Sequence, residues 1–300
     1  MNKPSNIKLS PVTKVIIGAI TISFSGVWVK LAHVGPTVSA FYRLLFGGIV
    51  LLGIVVFRRK PIWNSGNYFL ITGLAAFLFS LDLFAWHRSI NHIGPGLATI
   101  LANFQVFFLS LAGIFFFKER LGINRILGML FAVGGLFLIV GIDWRSVSPE
   151  YRTGVALGLA TAVFYTGYIL SLKRLHGFES PLDPETNLMY VSLMGALLLG
   201  LEALHGGEPL VIPDGQSFFS LLCMGVFGQV LGWVFISSGL GKIRTSLAGL
   251  ILLLQPSLAF VWDVLFFHKE LMWHGVLGAL ISISGIYLGS LPPNVMKKKQ

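Results

Sequence analysis

Residues Leu101–Gly135, LANFQVFFLSLAGIFFFKERLGINRILGMLFAVGG, return in worn form as Ile251–Gly285, ILLLQPSLAFVWDVLFFHKELMWHGVLGALISISG. At an offset of 150, Gln105 meets Gln255, Leu121 meets Leu271, Leu127-Gly128 meets Leu277-Gly278, and Gly135 meets Gly285. Lys118-Glu119 and Lys269-Glu270 fall one position out of register. The second half of the chain therefore reads as a diverged copy of the first.

The material being copied is apolar. Of 300 residues, 55% are hydrophobic and only 11% charged, against roughly 25% charged in soluble globular chains. This composition is that of a polytopic membrane protein. A hydrocarbon core of about 30 Å takes roughly 20 apolar residues per helix, and the chain divides into ten such runs. They lie near 12–32, 37–57, 67–87, 95–117, 123–141, 152–173, 187–204, 216–238, 245–267 and 273–291. Gly35-Pro36, Arg59-Lys60-Pro61, Gly94-Pro95, Ser180-Pro181 and Gly206-Gly207 punctuate them. Each copy holds five runs, an odd number, so the two copies must enter the membrane in opposite senses, as in the inverted repeats of many secondary transporters. The expected fold is an all-α integral membrane protein of ten transmembrane helices in two inverted five-helix repeats, 1–145 and 150–293, with a basic tail at 294–300.

The net charge of +10 does not point to nucleic acid. The basic residues sit in short clusters between apolar runs, the pattern of orientation signals. With the N-terminus in the cytoplasm, sixteen Lys/Arg fall on the inner side. Only Lys30, Arg88, Arg145, Arg152 and Lys269 fall outside, and Arg43 lies within a span. Both termini are expected in the cytoplasm, in the inner or plasma membrane of a bacterium. Ser23, Ser25, Trp28 and Lys30 follow the first apolar residues where a cleavage site would need small ones, so the first run reads as a retained helix. A single cysteine, Cys223, excludes an internal disulfide, and no Cys/His spacing suggests zinc or an iron–sulfur cluster. No metal or other cofactor is expected.

The ten-run, five-plus-five layout resembles the drug/metabolite transporter superfamily, EamA type. So do FSGVW (Phe24–Trp28), Arg43 early in the second run, and the KERL and KEL elements ending runs four and nine. That resemblance implies a transporter of small organic metabolites, amino acids or drugs, without naming the substrate. It also implies a proline in runs four and nine. Gln255-Pro256 has it and Gln105-Val106 does not.

Candidate functional residues follow from polarity inside the spans. A carboxylate there costs at least about 2.5 kcal/mol on insertion scales, so Asp82 should face a cavity or a partner. Arg43 lies about six residues, or roughly 9 Å, below the outer boundary. Asp82 and Asp263 share that depth. The three form either an outer gate or substrate-charge site, or a structural Arg43–Asp82 pair with snorkelling side chains. Trp86, four residues after Asp82, either stacks on substrate or belongs to an aromatic belt. His87 either serves a proton-coupled cycle or, the favoured reading, is a surface loop histidine beside Arg88. Thr99, Asn103, Val106 and Ser110 make one stripe that either lines the cavity or bonds neighbouring helices. Gln105 and Gln255 occupy equivalent repeat positions, with the same two readings. Thr21, Ser25 and Trp28 on the first run, and Thr161, Tyr165 and Tyr168 on the sixth, fit matching cavity walls. Pro256 is the hinge candidate. Glu119 and Glu270, each beside a lysine at a helix end, read as local ion pairs and caps. Gly128, Gly134, Gly135, Gly278 and Gly285 read as close-packing sites.

No phosphate-binding loop, HExxH or clustered Ser/His/Asp set is present, so ATP-driven transport within the chain and common hydrolase chemistry lack support. The expected function is secondary transport by alternating access, exporting small organic metabolites such as amino acids or related compounds. The drive is either the substrate gradient or proton exchange. The alternatives are a membrane-embedded enzyme acting on a lipid headgroup through Asp82, His87 and His92, and a channel, although no repeated filter loop or ring of charges is visible. The expected partners are a small-molecule substrate and the lipid bilayer; oligomeric state is left open.

Overall fold

The computed structural model describes residues 9–119, 122–140, 148–267 and 273–290. Among them every regular element is helical. The order is α1 (Pro11–Ser23), α2 (Ser25–Leu31), α3 (Pro36–Phe57), α4 (Gly66–Ala102), α5 (Gln105–Phe117), α6 (Ile123–Val140) and α7 (Pro149–Leu175). There follow α8 (Pro184–His205), α9 (Gly215–Cys223), a π-helical segment (Met224–Gly232), α10 (Trp233–Leu240), α11 (Thr245–Leu252), α12 (Leu254–Phe267) and α13 (Trp273–Ser290). Among the described residues seven stretches are long and apolar enough to cross a membrane, and Gln105–Phe117, Ile123–Gly135 and Trp273–Gly289 are shorter apolar helices. In lipid only helices or closed barrels can satisfy every backbone group, which is why apolar runs of this length fold this way.

Local chemistry sets the ends. Proline opens α1, α3, α7 and α8, where its missing N–H costs nothing. Ser10, Ser148 and Asp214 cap α1, α7 and α9 by accepting from Thr13 N, Tyr151 N and Ser217 N at 3.1, 3.2 and 2.7 Å. Lys118 ends α5 in the left-handed region (φ 51°).

Two breaks differ from the expectation. The helix runs on through Gly94-Pro95, although the chain does reverse there. A Cβ at Gly158 would lie 2.9 Å from Leu101 Cβ and 3.0 Å from Ser89 Oγ, two atoms that a straight helix would hold roughly 18 Å apart. α4 is therefore folded back on itself and packs both legs against α7. The second difference is the break between α4 and α5 at Asn103–Phe104, which needs no proline. Tight turns from Phe104 N to Leu101 O (3.1 Å), Val106 N to Asn103 O (3.2 Å) and Phe107 N to Phe104 O (3.0 Å) carry the chain across it. Its counterpart 150 residues later is the break at Leu253 between α11 and α12. That break lies three residues before Pro256, whose missing N–H leaves Leu252 O without its α-helical donor. The two halves break at equivalent positions even though only one has the proline.

The main packing pairs join one half of the chain to the other: α3 with α8, α4 with α7, α5 with α11, α6 with α13, and α1 with α10 and the π segment. The α6–α13 contact is built on glycine. A Cβ at Gly128 would sit 2.6 Å from Gly285 O, and one at Gly285 would sit 2.6 Å from Ala132 N, so the backbones touch. Ser282 Oγ donates to Ala132 O at 3.0 Å and lies 2.8 Å from Ser257 Oγ. Gly135 also packs against α13, beside Ser282 N, whereas Gly134 has nothing within 4 Å and is no packing site. Large apolar side chains such as Phe57, Phe115, Phe116 and Trp273 are left on the outside, the surface that lipid covers.

The loops fall at two ends. One, the basic end, carries Arg58, Lys60, Lys118, Arg125 and Arg244; the other carries 32–35 and 206–214. At the basic end Lys60 Nζ pairs with Asp183 (3.2 Å) and Glu185 (3.0 Å). Nearby, buried Tyr68 Oη donates to Asn187 Oδ1 (2.9 Å) and accepts from Leu182 N (3.1 Å). At the opposite end His33 Nδ1 meets Asp214 Oδ2 (2.8 Å), Thr37 Oγ1 donates to Glu208 Oε1 (2.6 Å), and Tyr42 Oη donates to Leu210 O (2.6 Å).

Candidate functional site

Two buried groups of opposite charge come from helices distant in sequence. α3 places Arg43, 9% exposed, and α4 places Asp82, 6% exposed. Phe79 precedes Asp82 by three residues and so shares its face of α4. α7 contributes Tyr165 and Tyr168 by the same spacing, and α10 contributes Trp233. The rings form a continuous aromatic wall. Phe79 stacks on Tyr168 at 4.3 Å, and Trp233 meets Tyr168 edge-on at 4.8 Å, Phe79 at 5.5 Å and Tyr165 at 5.9 Å. Arg43 Cζ lies 5.9 Å from the Phe79 ring centre, within cation–π range.

Arg43 and Asp82 lie in each other's electrostatic field, together with Tyr165 and Tyr168. No ion pair within 4.0 Å joins them among the described residues. The charges are thus near one another without being closed on one another. Polar atoms around them are also unmatched. Arg43 Nε, Tyr165 Oη, Tyr168 Oη, Trp233 Nε1 and Gln255 Nε2 are buried without a hydrogen-bond partner. Tyr165 lies beside Gln255, but neither of those two atoms makes a bond of acceptable geometry. Buried polar groups are normally paired, and each orphan costs roughly 1–3 kcal/mol. Three on the aromatic wall, with Gln255 beside Tyr165 and the two unclosed charges of Arg43 and Asp82 nearby, form a surface equipped for a polar ligand: guanidinium for an anion, carboxylate for a cation, rings for an apolar body.

Of the sequence candidates, the structure brings Arg43, Asp82, Tyr165, Tyr168 and Gln255 together. Gln105 is buried on α5 with an orphaned Oε1. Trp86 is half-buried on α4, its ring 5.0 Å from that of His87. His87 is not the surface residue expected. It is buried, its Nδ1 lies 2.7 Å from Leu83 O, and its ring is in the field of Arg43, Arg88 and Glu208. Arg88 pairs with Glu202 and lies over the Phe84 ring.

Other candidates are elsewhere. Trp28 packs edge-on to Phe219 at 6.5 Å, in a separate cluster with Ala32, Leu221 and Met224. Ser110 bonds within α5 and to α6. Its hydroxyl lies 2.7 Å from Val106 O and 2.9 Å from Met129 Sδ, beside an apolar groove of about 260 Å³ between α5 and α6. Asn103 is buried in the α4–α5 break. The side chains of Thr99 and Asp263, and the residues Lys269 and Glu270, lie outside the described part. Glu119 does not pair with Lys118; it reaches across to the start of α11.

Sequence reasoning missed Phe79 and Trp233. Phe79 was reachable, since it sits one turn before Asp82. Trp233 was reachable as a tryptophan at mid-run rather than at an interfacial end. Buried Gln229, whose Nε2 donates to Ser192 Oγ at 2.9 Å from inside the π segment, left no signal that separates it from an ordinary interhelical glutamine.

The EamA-like transporter family model matches residues 9–141 and 152–291. The chain belongs to that family. Among curated relatives it is 25% identical over 280 residues to the probable amino-acid metabolite efflux pump of Salmonella typhimurium, covering 89% of each chain. It is 21% identical over 286 residues to the uncharacterized transporter YoaV of Bacillus subtilis, covering 92% of this chain and 97% of that one. A match of 24% over 168 residues to an uncharacterized transporter of Haemophilus influenzae covers 55% of this chain and 54% of that protein. A solved crystal structure at 18% identity superposes with a TM-score of 0.81 over 95% of this chain and 99% of its own, which bears on the fold. The protein is a multi-pass membrane transporter of small molecules and not an enzyme.

Proposed function

We propose that this protein is a secondary transporter that exports small organic metabolites, amino acids or related compounds, by alternating access. It works without ATP, in a bacterial inner membrane, with both termini in the cytoplasm. Ten spans form two inverted repeats, 1–145 and 150–293, followed by the basic tail 294–300. Equivalent breaks at Asn103–Phe104 and Leu253, and repeat-mate packing of α3 with α8 and α6 with α13, support the two-repeat reading. Sixteen basic residues on one side against five on the other support the orientation.

The observation that carries the substrate reading is the pair of buried, unclosed opposite charges, Arg43 and Asp82, on an aromatic wall with orphaned donors. A zwitterionic metabolite could close both charges at once. The efflux relative supports the same class and direction. Asp82 is also the group best placed to exchange a proton for substrate. Thr99, Asn103 and Asp263 stay in the proposal as further path residues, and Pro256 as the hinge of the second repeat.

Counterflow in proteoliposomes tests this. Labelled amino acid should accumulate against unlabelled substrate and saturate, which a channel would not show. Arg43→Ala and Asp82→Asn should each lower the rate about ten-fold or more, the equivalent of one charge-assisted hydrogen bond. An unchanged rate in both variants, with normal folding, would remove these residues from the site.

A further inference from the structure

Glu119, just beyond α5, crosses to the other half of the chain. Its carboxylate accepts from Thr245 N at 2.7 Å, Ser246 Oγ at 2.8 Å and Ser246 N at 3.3 Å. Thr245 N and Ser246 N are the first amides of α11, a helix whose N-cap residue, Arg244, supplies no side-chain cap of its own. A helix N-terminus leaves its first N–H groups unpaired and favours negative charge, so the carboxylate of one element completes another. Local geometry is arranged for that reach. The left-handed Lys118 turns the chain out of α5, and Glu119 N returns to Gly113 O at 2.9 Å. A Cβ at Gly113 would lie 2.8 Å from Glu119 Oε2, so the glycine leaves room for the carboxylate to lie back over α5.

Neighbours converge on the same point. Arg125 Nη1, from α6, donates to Ser246 Oγ at 3.1 Å. Lys173 Nζ, from α7, donates to Ile243 O at 2.5 Å and lies in the field of Glu119. The basic end is thus fastened at the α5–α11 junction by a carboxylate that is only half-buried, where water can take over the freed α11 amides.

We propose that Glu119 is the latch that holds the transport path closed at the basic end, and that its bonds to Thr245 and Ser246 break when the path opens there. This rests on the alternating-access reading. A purely structural clip would be broken only by unfolding; a latch sets how often one end opens. Loss of bonds of this kind should raise the population open at the basic end by roughly five- to thirty-fold.

The test uses the full chain in lipid, with Cys223→Ser and spin labels on Phe116→Cys and Lys242→Cys, both exposed positions flanking the junction. Pulsed electron-resonance distances should show a dominant short separation in the parent. Glu119→Ala should enrich a longer one, Glu119→Gln should do so less, and Ser246→Ala least. If Glu119→Ala folds poorly, Gly113→Ala, which crowds the carboxylate without removing it, should show the same enrichment. A lower melting temperature with an unchanged distance distribution would overturn the latch. If the parent shows counterflow and the variants leave the distances unmoved, only the latch fails. If the parent shows neither counterflow nor a second distance under any condition, alternating access fails with it.

Discussion

Tyr168 is fully buried, stacked on Phe79, and keeps a hydroxyl with no partner. In a residue retained for packing alone, that oxygen is a cost that phenylalanine would avoid, because replacing an unsatisfied polar group by an apolar one of the same shape is neutral or stabilising. Tyr168→Phe should therefore hold or raise the melting temperature while weakening substrate binding by about five-fold or more, read by ligand-induced thermal shift. Unchanged binding would make Tyr168 a wall and nothing more. At this scale polarity inside a span drew attention to Arg43, Asp82, Tyr165 and Tyr168, through depth or helical spacing, but not to Gln229. Phe79 and Trp233 were passed over, because an aromatic in an apolar run is set apart only by its neighbours and its place in the run: Phe79 lies one turn before Asp82, and Trp233 lies inside its run instead of at the interfacial end. His87 was misread because its local sequence, between Trp86 and Arg88, matches a membrane-edge segment, while its burial depends on how α4 folds back.

Elements were read well at their ends and less well at their breaks. Prolines and basic clusters mark the helix termini in sequence, and Pro256 marks the α11–α12 break. The break at Asn103–Phe104 has no such residue and follows from the repeat geometry instead. Glycines divide the same way: the sequence named five, and contact geometry separates Gly285, against the α6 backbone, from Gly134, which faces open space. Gly285→Ala should destabilise by about 1–3 kcal/mol, because the obstructing atoms are the backbone of Gly128 and Ala132 and cannot rotate away. Gly134→Ala should be neutral or gain up to about 1 kcal/mol from helix propensity. Denaturant titration in one detergent compares the two. Equal losses would mean that α6 and α13 are not in backbone contact.

At the scale of the whole molecule, the carboxylates that hold the two ends are tuned against acid. Burial works to raise the Glu119 carboxyl, but the hydrogen bonds from Ser246 and Thr245 together outweigh it and hold the group below its ordinary value of 4.5. Asp214 is held down to about 2, first by the His33 hydrogen bond and then by the Ser217 amide. A carboxyl depressed in the folded state contributes stability above its ordinary pKa and loses it as pH falls through the folded value. Both fastenings should therefore be intact at neutral pH and through mild acid. The short Phe116–Lys242 distance should hold from about pH 8 down to the ordinary glutamate value and fall away only below it. A change in transport rate between those limits then does not come from protonation of either of these carboxylates. In proteoliposomes, a pH dependence present in the parent should flatten in Asp82→Asn. If it persists in that variant while the Phe116–Lys242 distance stays constant, proton exchange through Asp82 is wrong, and the coupling has to be sought at another group.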